Sequence, residues 1–350
     1  MVREILSEYN INQEHITFQP INNGLINQTW LVNNSSTNYI LQKINHNIFR
    51  NPDAIAQNVR MIADYFFLHN PGYLFVSPVK TKSGEEMIFL EDAGYYRLFP
   101  FIKKSHTINT VENPTQAYEA AAKFGEFTKL LSGFPVEKLQ TTLPDFHNLS
   151  LRYQQFCEAL QNGNAERIKK SKELIDFIIA NNEIVNTYES ILKNPSFKLR
   201  VTHHDTKISN VLFDGNDKGL CVIDLDTVMP GYFISDVGDM IRTYLSPVNE
   251  EEKDFSKIEI REAYFTSIWK GYMNEMNDEL SDAEKDHFIY AGKFMIYMQA
   301  IRFLADYLNN DVYYGAKYED QNYVRTGNQV KLLRLLIERE ELLQALVSDE

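Results

Sequence analysis

His203-His204-Asp205-Thr206-Lys207-Ile208-Ser209-Asn210, with Asp224-Leu225-Asp226 downstream, is the densest cluster of chemically capable side chains in the sequence. Asp205 and Asn210 stand at the H-x-D-x-x-x-x-N spacing, and Asp224 follows Asp205 by nineteen residues. Between them, Val211-Leu212-Phe213 and Leu220-Cys221-Val222-Ile223 read as the two short strands of a hairpin. Kinase-type phosphoryl transfer asks for an Asp that orients and deprotonates the attacking hydroxyl. It also asks for an Asn that ligates metal and a second Asp that holds Mg²⁺ against the phosphates. All three residue types occur here, in that order. Lys207, two after Asp205, is within reach of a transferred phosphate. Taken alone, two histidines beside an aspartate read equally well as another metal site or a polar loop. The strand–loop–strand setting and the second Asp at the end of an apolar strand weight the reading toward phosphoryl transfer.

Upstream, turn signals alternate with short β-rich runs at roughly 15–21, 28–33, 38–44, 74–79, 86–90 and 95–100, which predicts hairpins of one antiparallel sheet. One helix interrupts them. It starts near Asn51-Pro52-Asp53, where Pro and Asp suit a first turn, and carries Ile55, Val59, Ile62 and Phe66 at helical spacing. From about Pro114 helical periodicity dominates, apart from the strands and loops of 200–226. The expected fold class is therefore α+β: a small β lobe over 1–101, covering a nucleotide, and a mostly helical lobe over 102–350 that carries the catalytic and metal loops.

In that β lobe, Ile21-Asn22-Asn23-Gly24-Leu25-Ile26-Asn27 joins two strands through a single glycine. Gly24 and Asn27 are the expected phosphate-side contacts, with an ordinary hairpin turn as the competing reading. In Tyr39-Ile40-Leu41-Gln42-Lys43-Ile44, Lys43 is the expected phosphate partner. A shift of one residue would put Gln42 there instead, and a solvent-facing strand lysine accounts for the pattern nearly as well. Tyr96-Arg97-Leu98-Phe99-Pro100-Phe101-Ile102 leaves the last strand as a hinge, where backbone groups, those of Phe99 and Phe101 among them, would meet the adenine.

A balance of 35 Lys+Arg against 48 Asp+Glu gives −13, and no dense basic stripe occurs, so nucleic acid is not an expected partner. Cys157 and Cys221 are far apart and share no motif, as in a reduced protein. No signal peptide opens the sequence, and Phe294 to Ala305 is broken by Gln299 and Arg302, so the expectation is a cytoplasmic protein without a membrane span.

These residues resemble the aminoglycoside phosphotransferase and choline kinase superfamily of small-molecule kinases, which share a bilobal protein-kinase-like fold. Asp224-Leu225-Asp226 stands where protein kinases carry Asp-Phe-Gly, and no Ala-Pro-Glu follows. Within the superfamily the chain looks most like the N-acetylhexosamine 1-kinases. That resemblance runs through Tyr39 to Asn45, His203 to Asn210, Val222 to Gly231, Asp236 to Arg242 and Arg302 to Leu308. It implies ATP and Mg²⁺ as cofactors and an amino sugar as the small-molecule partner. Asp205 would be the base, Asn210 and Asp224 the metal ligands, and Thr227, Arg302 and Tyr313 sugar contacts. His204 departs from the Gly or Asn usual at its position. Read from periodicity alone, Arg302 lies on the flank of its helix, where an exposed i,i+4 pair with Asp306 competes with a ligand role. Asp236, Asp239 and Arg242 read as braces behind the catalytic loop. Two other functions remain open: a kinase for an aminoglycoside, choline or homoserine-like acceptor, and a nucleotide-binding protein without turnover.

Overall fold

In the computed structural model, which describes residues 2–12, 15–21, 26–34 and 37–348, the alternating runs of the first hundred residues form one five-stranded antiparallel sheet. Its strands are β1 (Thr17–Ile21), β2 (Gln28–Asn33), β3 (Tyr39–Lys43), β4 (Ile88–Leu90) and β5 (Gly94–Pro100), in the order β1-β2-β3-β5-β4. Period-two alternation sorts the two faces. Val32, Leu41, Tyr96 and Leu98 are buried on one face against Ile5, Leu6 and Tyr9 of the N-terminal helix Val2–Ser7 and its end. The other face looks toward the loops of the helical part.

The run at 74–79, expected as a strand, is not one. Pro78 has no N–H to give a ladder, and only Val79 reaches the sheet, donating its amide to the Leu98 carbonyl at 2.7 Å. Helix Pro52–His69 begins as expected, with Asn51 capping the Ala54 amide and Pro52 in the first turn. Its buried Ile55, Val59, Ile62 and Phe66 join the large core of the helical part rather than the small core under the sheet. Asn58 fastens it there, its side-chain amide donating to the carbonyls of Gln140 at 2.8 Å and Val228 at 3.0 Å.

The centre of the helical part is Phe288–Leu308, a helix with apolar residues on nearly every side, as full burial requires. It packs against helices Phe233–Tyr244, Gln321–Glu338 and Leu149–Asn162. Where it crosses Phe233–Tyr244, a Cβ on Gly238 would stand 2.4 Å from the Ala291 carbonyl oxygen, so only glycine allows the approach. Two small ladders carry the polar loops: β6 (Arg200–Thr202) pairs with β9 (Met229–Gly231), and β7 (Val211–Phe213) with β8 (Gly219–Val222). The segment 203–210 leaves β6 and enters β7, while 223–228 joins β8 to β9, so the two ladders hold both loops side by side. Among the described residues no helix is long and apolar enough to cross a membrane.

Candidate active site

The 203–210 loop is held mainly from behind. Buried Asp236, in the first turn of helix Phe233–Tyr244, accepts the His203 amide at 3.0 Å and the His204 amide at 2.7 Å. Thr206 donates its hydroxyl to the Asp236 carbonyl at 2.7 Å, and Tyr244 donates to the Thr206 carbonyl at 2.6 Å. The His203 ring meets the Ile223 carbonyl at 3.0 Å. His204 adopts φ +67°, a left-handed conformation that turns the chain sharply before Asp205. Gly231 makes room for it: a Cβ there would lie 2.3 Å from the His204 ring.

This support brings Asp205, Lys207 and Asn210 together. Lys207 Nζ lies 2.9 Å and 3.2 Å from the two Asp205 carboxylate oxygens. Asn210 donates its side-chain amide to the Asp205 carbonyl at 2.8 Å and to its carboxylate at 3.1 Å, which leaves Asn210 Oδ1 without a hydrogen bond among the described residues. Burial pushes the Asp205 carboxyl up, but Lys207, His203 and Asn210 pull harder and hold it below the ordinary carboxylate range, in its ionised form.

Asp224 sits across from it, at φ +61° at the end of β8. The protein crowded around it, and then Asp226 and Asp205, push its carboxyl up to about 7. Arg97 and Lys207 pull the other way, and the side chain is open to the cleft. No group of three or more His, Cys, Asp or Glu converges on one point among the described residues. Mg²⁺ does not need one, because it binds through one or two protein oxygens and completes its shell with phosphate oxygens and water. Asp224, crowded by Asp226 and Asp205, and the unengaged Asn210 oxygen fit that donor set.

On the sheet side the register settles which residue of β3 faces these loops. Leu41 pairs with Leu98, Gln42 with Arg97 and Lys43 with Tyr96. Paired residues share a face, so Gln42 points to the loops and Lys43 lies with Tyr96 on the other side, its Nζ 5.8 Å from that ring. The structure therefore does not bring Lys43 to the cluster. Arg97 is there instead, buried, its Nη2 2.5 Å from Asp226 and its Nε and Nη2 at 3.1 Å and 2.9 Å from the Gln42 oxygen. Asn27 completes the staple, donating to Asp226 at 2.8 Å and accepting the Asn45 amide at 3.0 Å. Gly24 lies outside the described residues. Phe99 faces the same side, its ring 5.0 Å from the Arg97 guanidinium, and Phe101 donates its amide to the Asn38 carbonyl.

The expected sugar contacts divide. Thr227 is buried, and its hydroxyl donates to the His203 carbonyl at 2.6 Å, so it braces the loop rather than facing an acceptor. Arg302 does not pair with Asp306. The Asp306 carboxylate turns inward and accepts the amides of Tyr313 at 2.7 Å and Tyr314 at 2.9 Å, and the Asn322 side chain at 3.1 Å. Arg302 packs over Tyr314 at 5.5 Å and Phe146 at 6.0 Å, and with Tyr313 it lines a cavity of about 450 Å³. Phe146 stacks on His147 at 4.4 Å and His147 on His204 at 5.3 Å, so a wall of rings runs from this cavity to the residue before Asp205. Asp239 and Arg242 pair at 2.9 Å behind the loop, as expected.

The sequence reading missed Arg97, Asp226 and His147 as parts of this site. Arg97 had a signal: it is a charge between Tyr96 and Leu98 in an apolar strand, on the opposite face from both. His147, in a polar turn, had none.

A model of the phosphotransferase enzyme family matches residues 17–255. Among solved structures, a spectinomycin phosphotransferase in complex with ADP and spectinomycin is 15% identical, with TM-score 0.62 over 96% of this chain and 98% of that one. A microcompartment-associated aminopropanol kinase is 14% identical, with TM-score 0.62 over 98% and 97%. Choline kinase from Cryptosporidium parvum Iowa II is 16% identical, with TM-score 0.56 over 99% and 97%. At these identities the likeness is one of fold.

Proposed function

The chain belongs to the phosphotransferase enzyme family, and from that premise we propose an ATP- and Mg²⁺-dependent kinase acting on a sugar hydroxyl, specifically the anomeric hydroxyl of an N-acetylhexosamine. The observation that carries the chemistry is the ionised Asp205, fixed by Lys207 and Asn210 close to the cleft-facing Asp224. Asp205 accepts the acceptor proton as the acceptor oxygen bonds to the γ-phosphorus. The bond from that phosphorus to the β–γ bridging oxygen breaks, and ADP leaves. Asn210 Oδ1 and the Asp224 carboxylate would hold Mg²⁺, which neutralises phosphate charge when bound. Lys207 keeps Asp205 charged and oriented, so positioning and electrostatics supply most of the rate. Asn27 and Phe99 contribute the sheet side of the nucleotide site. The ADP held by the spectinomycin enzyme supports a nucleotide in this cleft.

The acceptor side favours a sugar over a cationic amine. Arg302 stands without a carboxylate partner among the described residues and beside Tyr314 and Phe146, a setting that suits hydroxyl and carbonyl groups and repels an ammonium. The test is incubation with Mg-ATP and a panel of N-acetylhexosamines, aminoglycosides, choline and homoserine, with products identified by phosphorus NMR. A sugar 1-phosphate is the expected product. Phosphorylation of an amine acceptor alone would overturn the sugar reading, and no transfer to any member would overturn the kinase reading.

A further inference from the structure

The cavity beyond the ring wall holds a second arginine. Arg152, in helix Leu149–Asn162, lines it with Arg302. Both guanidiniums are held only by neutral acceptors: Arg152 donates to the Asp145 carbonyl at 2.8 Å and to the Gln155 side-chain oxygen at 3.0 Å, and Arg302 to the Gln299 side-chain oxygen at 3.3 Å. Arg152 Nε is buried with no hydrogen-bond partner among the described residues. Each nearby carboxylate is engaged elsewhere. Asp306 is taken by two backbone amides and Asn322, Asp145 accepts from Asn148 at 2.8 Å, and Glu158, at the exposed rim, accepts from Gln154 at 2.9 Å. A third arginine above Tyr314, Arg325, is paired with Glu250.

Two like charges converging on one half-enclosed space repel each other, and a buried guanidinium N–H without an acceptor is costly. Burial, and then the nearby Arg302, disfavour the charged form of Arg152, against the weaker pull of Tyr313, Tyr314 and Asp145. An anion between the two would remove both penalties, and arginine's planar fork matches the oxygens of a sulfate, phosphate or carboxylate. Resting on the sugar-kinase reading, we infer that the acceptor carries an anionic substituent, received by Arg152 and Arg302 in this cavity. The stacked rings of His204, His147 and Phe146 connect the catalytic loop to Arg302.

Steady-state kinetics would compare N-acetylglucosamine with its 3-sulfate, 6-sulfate and 6-phosphate, and with inorganic sulfate as a competitor. At least one anionic sugar should exceed the neutral parent in kcat/KM by about tenfold or more, as expected of charge-assisted recognition. In Arg152→Gln that ratio should fall toward one. Inorganic sulfate should compete with the anionic sugar. If the neutral sugar is phosphorylated and no charged derivative outperforms it, the anion inference fails while the sugar-kinase reading stands. If choline or an aminoglycoside is phosphorylated and no sugar is, both fail. Stimulation of neutral-sugar turnover by inorganic sulfate, without any preference for charged sugars, would place the anion outside the acceptor and overturn the inference as stated. The wild-type comparison needs no variant, so a poorly folded Arg152→Gln would not rescue the idea.

Discussion

Asp236→Asn is the substitution that most directly asks whether the catalytic loop is held from behind. The carboxylate accepts two backbone amides, His203 at 3.0 Å and His204 at 2.7 Å, one on each oxygen. Asparagine keeps one acceptor and turns an NH2 toward the other N–H, donor against donor. One charge-assisted bond is lost, at about 1.5–3 kcal/mol, and one buried N–H is stranded, at about 1–3 kcal/mol. Both figures describe the loss at one amide, so the destabilisation is roughly 1.5–3 kcal/mol, much of it felt in the left-handed turn that sets Asp205. The loop should shift to relieve the clash, and a misplacement on the order of 1 Å lowers kcat by about 100-fold. Urea unfolding and kcat would be measured on the same preparation. A stability change under about 1 kcal/mol with kcat within about a factor of two would refute the argument, because a loop that tolerates two opposed donors is not held by Asp236.

Asp205→Asn should lower kcat by orders of magnitude while calorimetry shows Mg-ATP affinity largely kept, and a variant retaining more than about a tenth of wild-type kcat would remove Asp205 from the role of base. Asp224→Asn should weaken Mg-ATP binding, with recovery at high Mg²⁺, and should also raise the stability of the ligand-free protein because a crowded negative charge is gone; unchanged affinity would mean that Asp224 does not hold the metal. His204 is pushed down to about 3 by burial and by His203, against the pull of Asp205, and its stacked neighbour His147 is held neutral too. The unfolded chain therefore takes up a proton near pH 6.5 that the folded one refuses, and this part of the stability is lost as pH falls. Relative to His204→Asn, the wild type should lose about 1.4 kcal/mol per pH unit below about 6.5 in urea titrations, and parallel curves would refute the neutral assignment. Gly231→Ala should cost about 1–3 kcal/mol through the 2.3 Å approach to the His204 ring, and less in a His204→Gly background; equal costs in both would place the clash elsewhere.

Much of this arrangement was legible in residue order. The spacing of Asp205, Asn210 and Asp224 survives folding because both loops are short and pinned between ladders, so sequence distance nearly fixes spatial distance. The hairpin of β7 and β8 and the capped start at Asn51 were legible for the same local reason. Register was not: whether Gln42 or Lys43 faces the loops depends on a one-residue choice that only pairing with β5 decides. Nor could periodicity reveal that Asp306 faces inward, because its partners are the backbone amides of a loop seven and eight residues away. The strand expected at 74–79 does not form for want of a donor at Pro78, a signal present in the sequence itself. Arg152 could not be found from sequence, since its meaning comes entirely from Arg302, brought to it by a different helix.

The contact between Arg97 and Asp226 binds two segments that the chain makes far apart. Both side chains are almost wholly shielded from water, at 3% and 2% exposure, and an uncompensated charge left there by changing one partner is far more costly than losing both together. Homologous recombination between relatives that exchanged only the segment carrying β5 would strand one of the two ions. Viable chimeras should therefore inherit the strand and the Asp-Leu-Asp loop from the same parent, making these distant positions a single heritable unit.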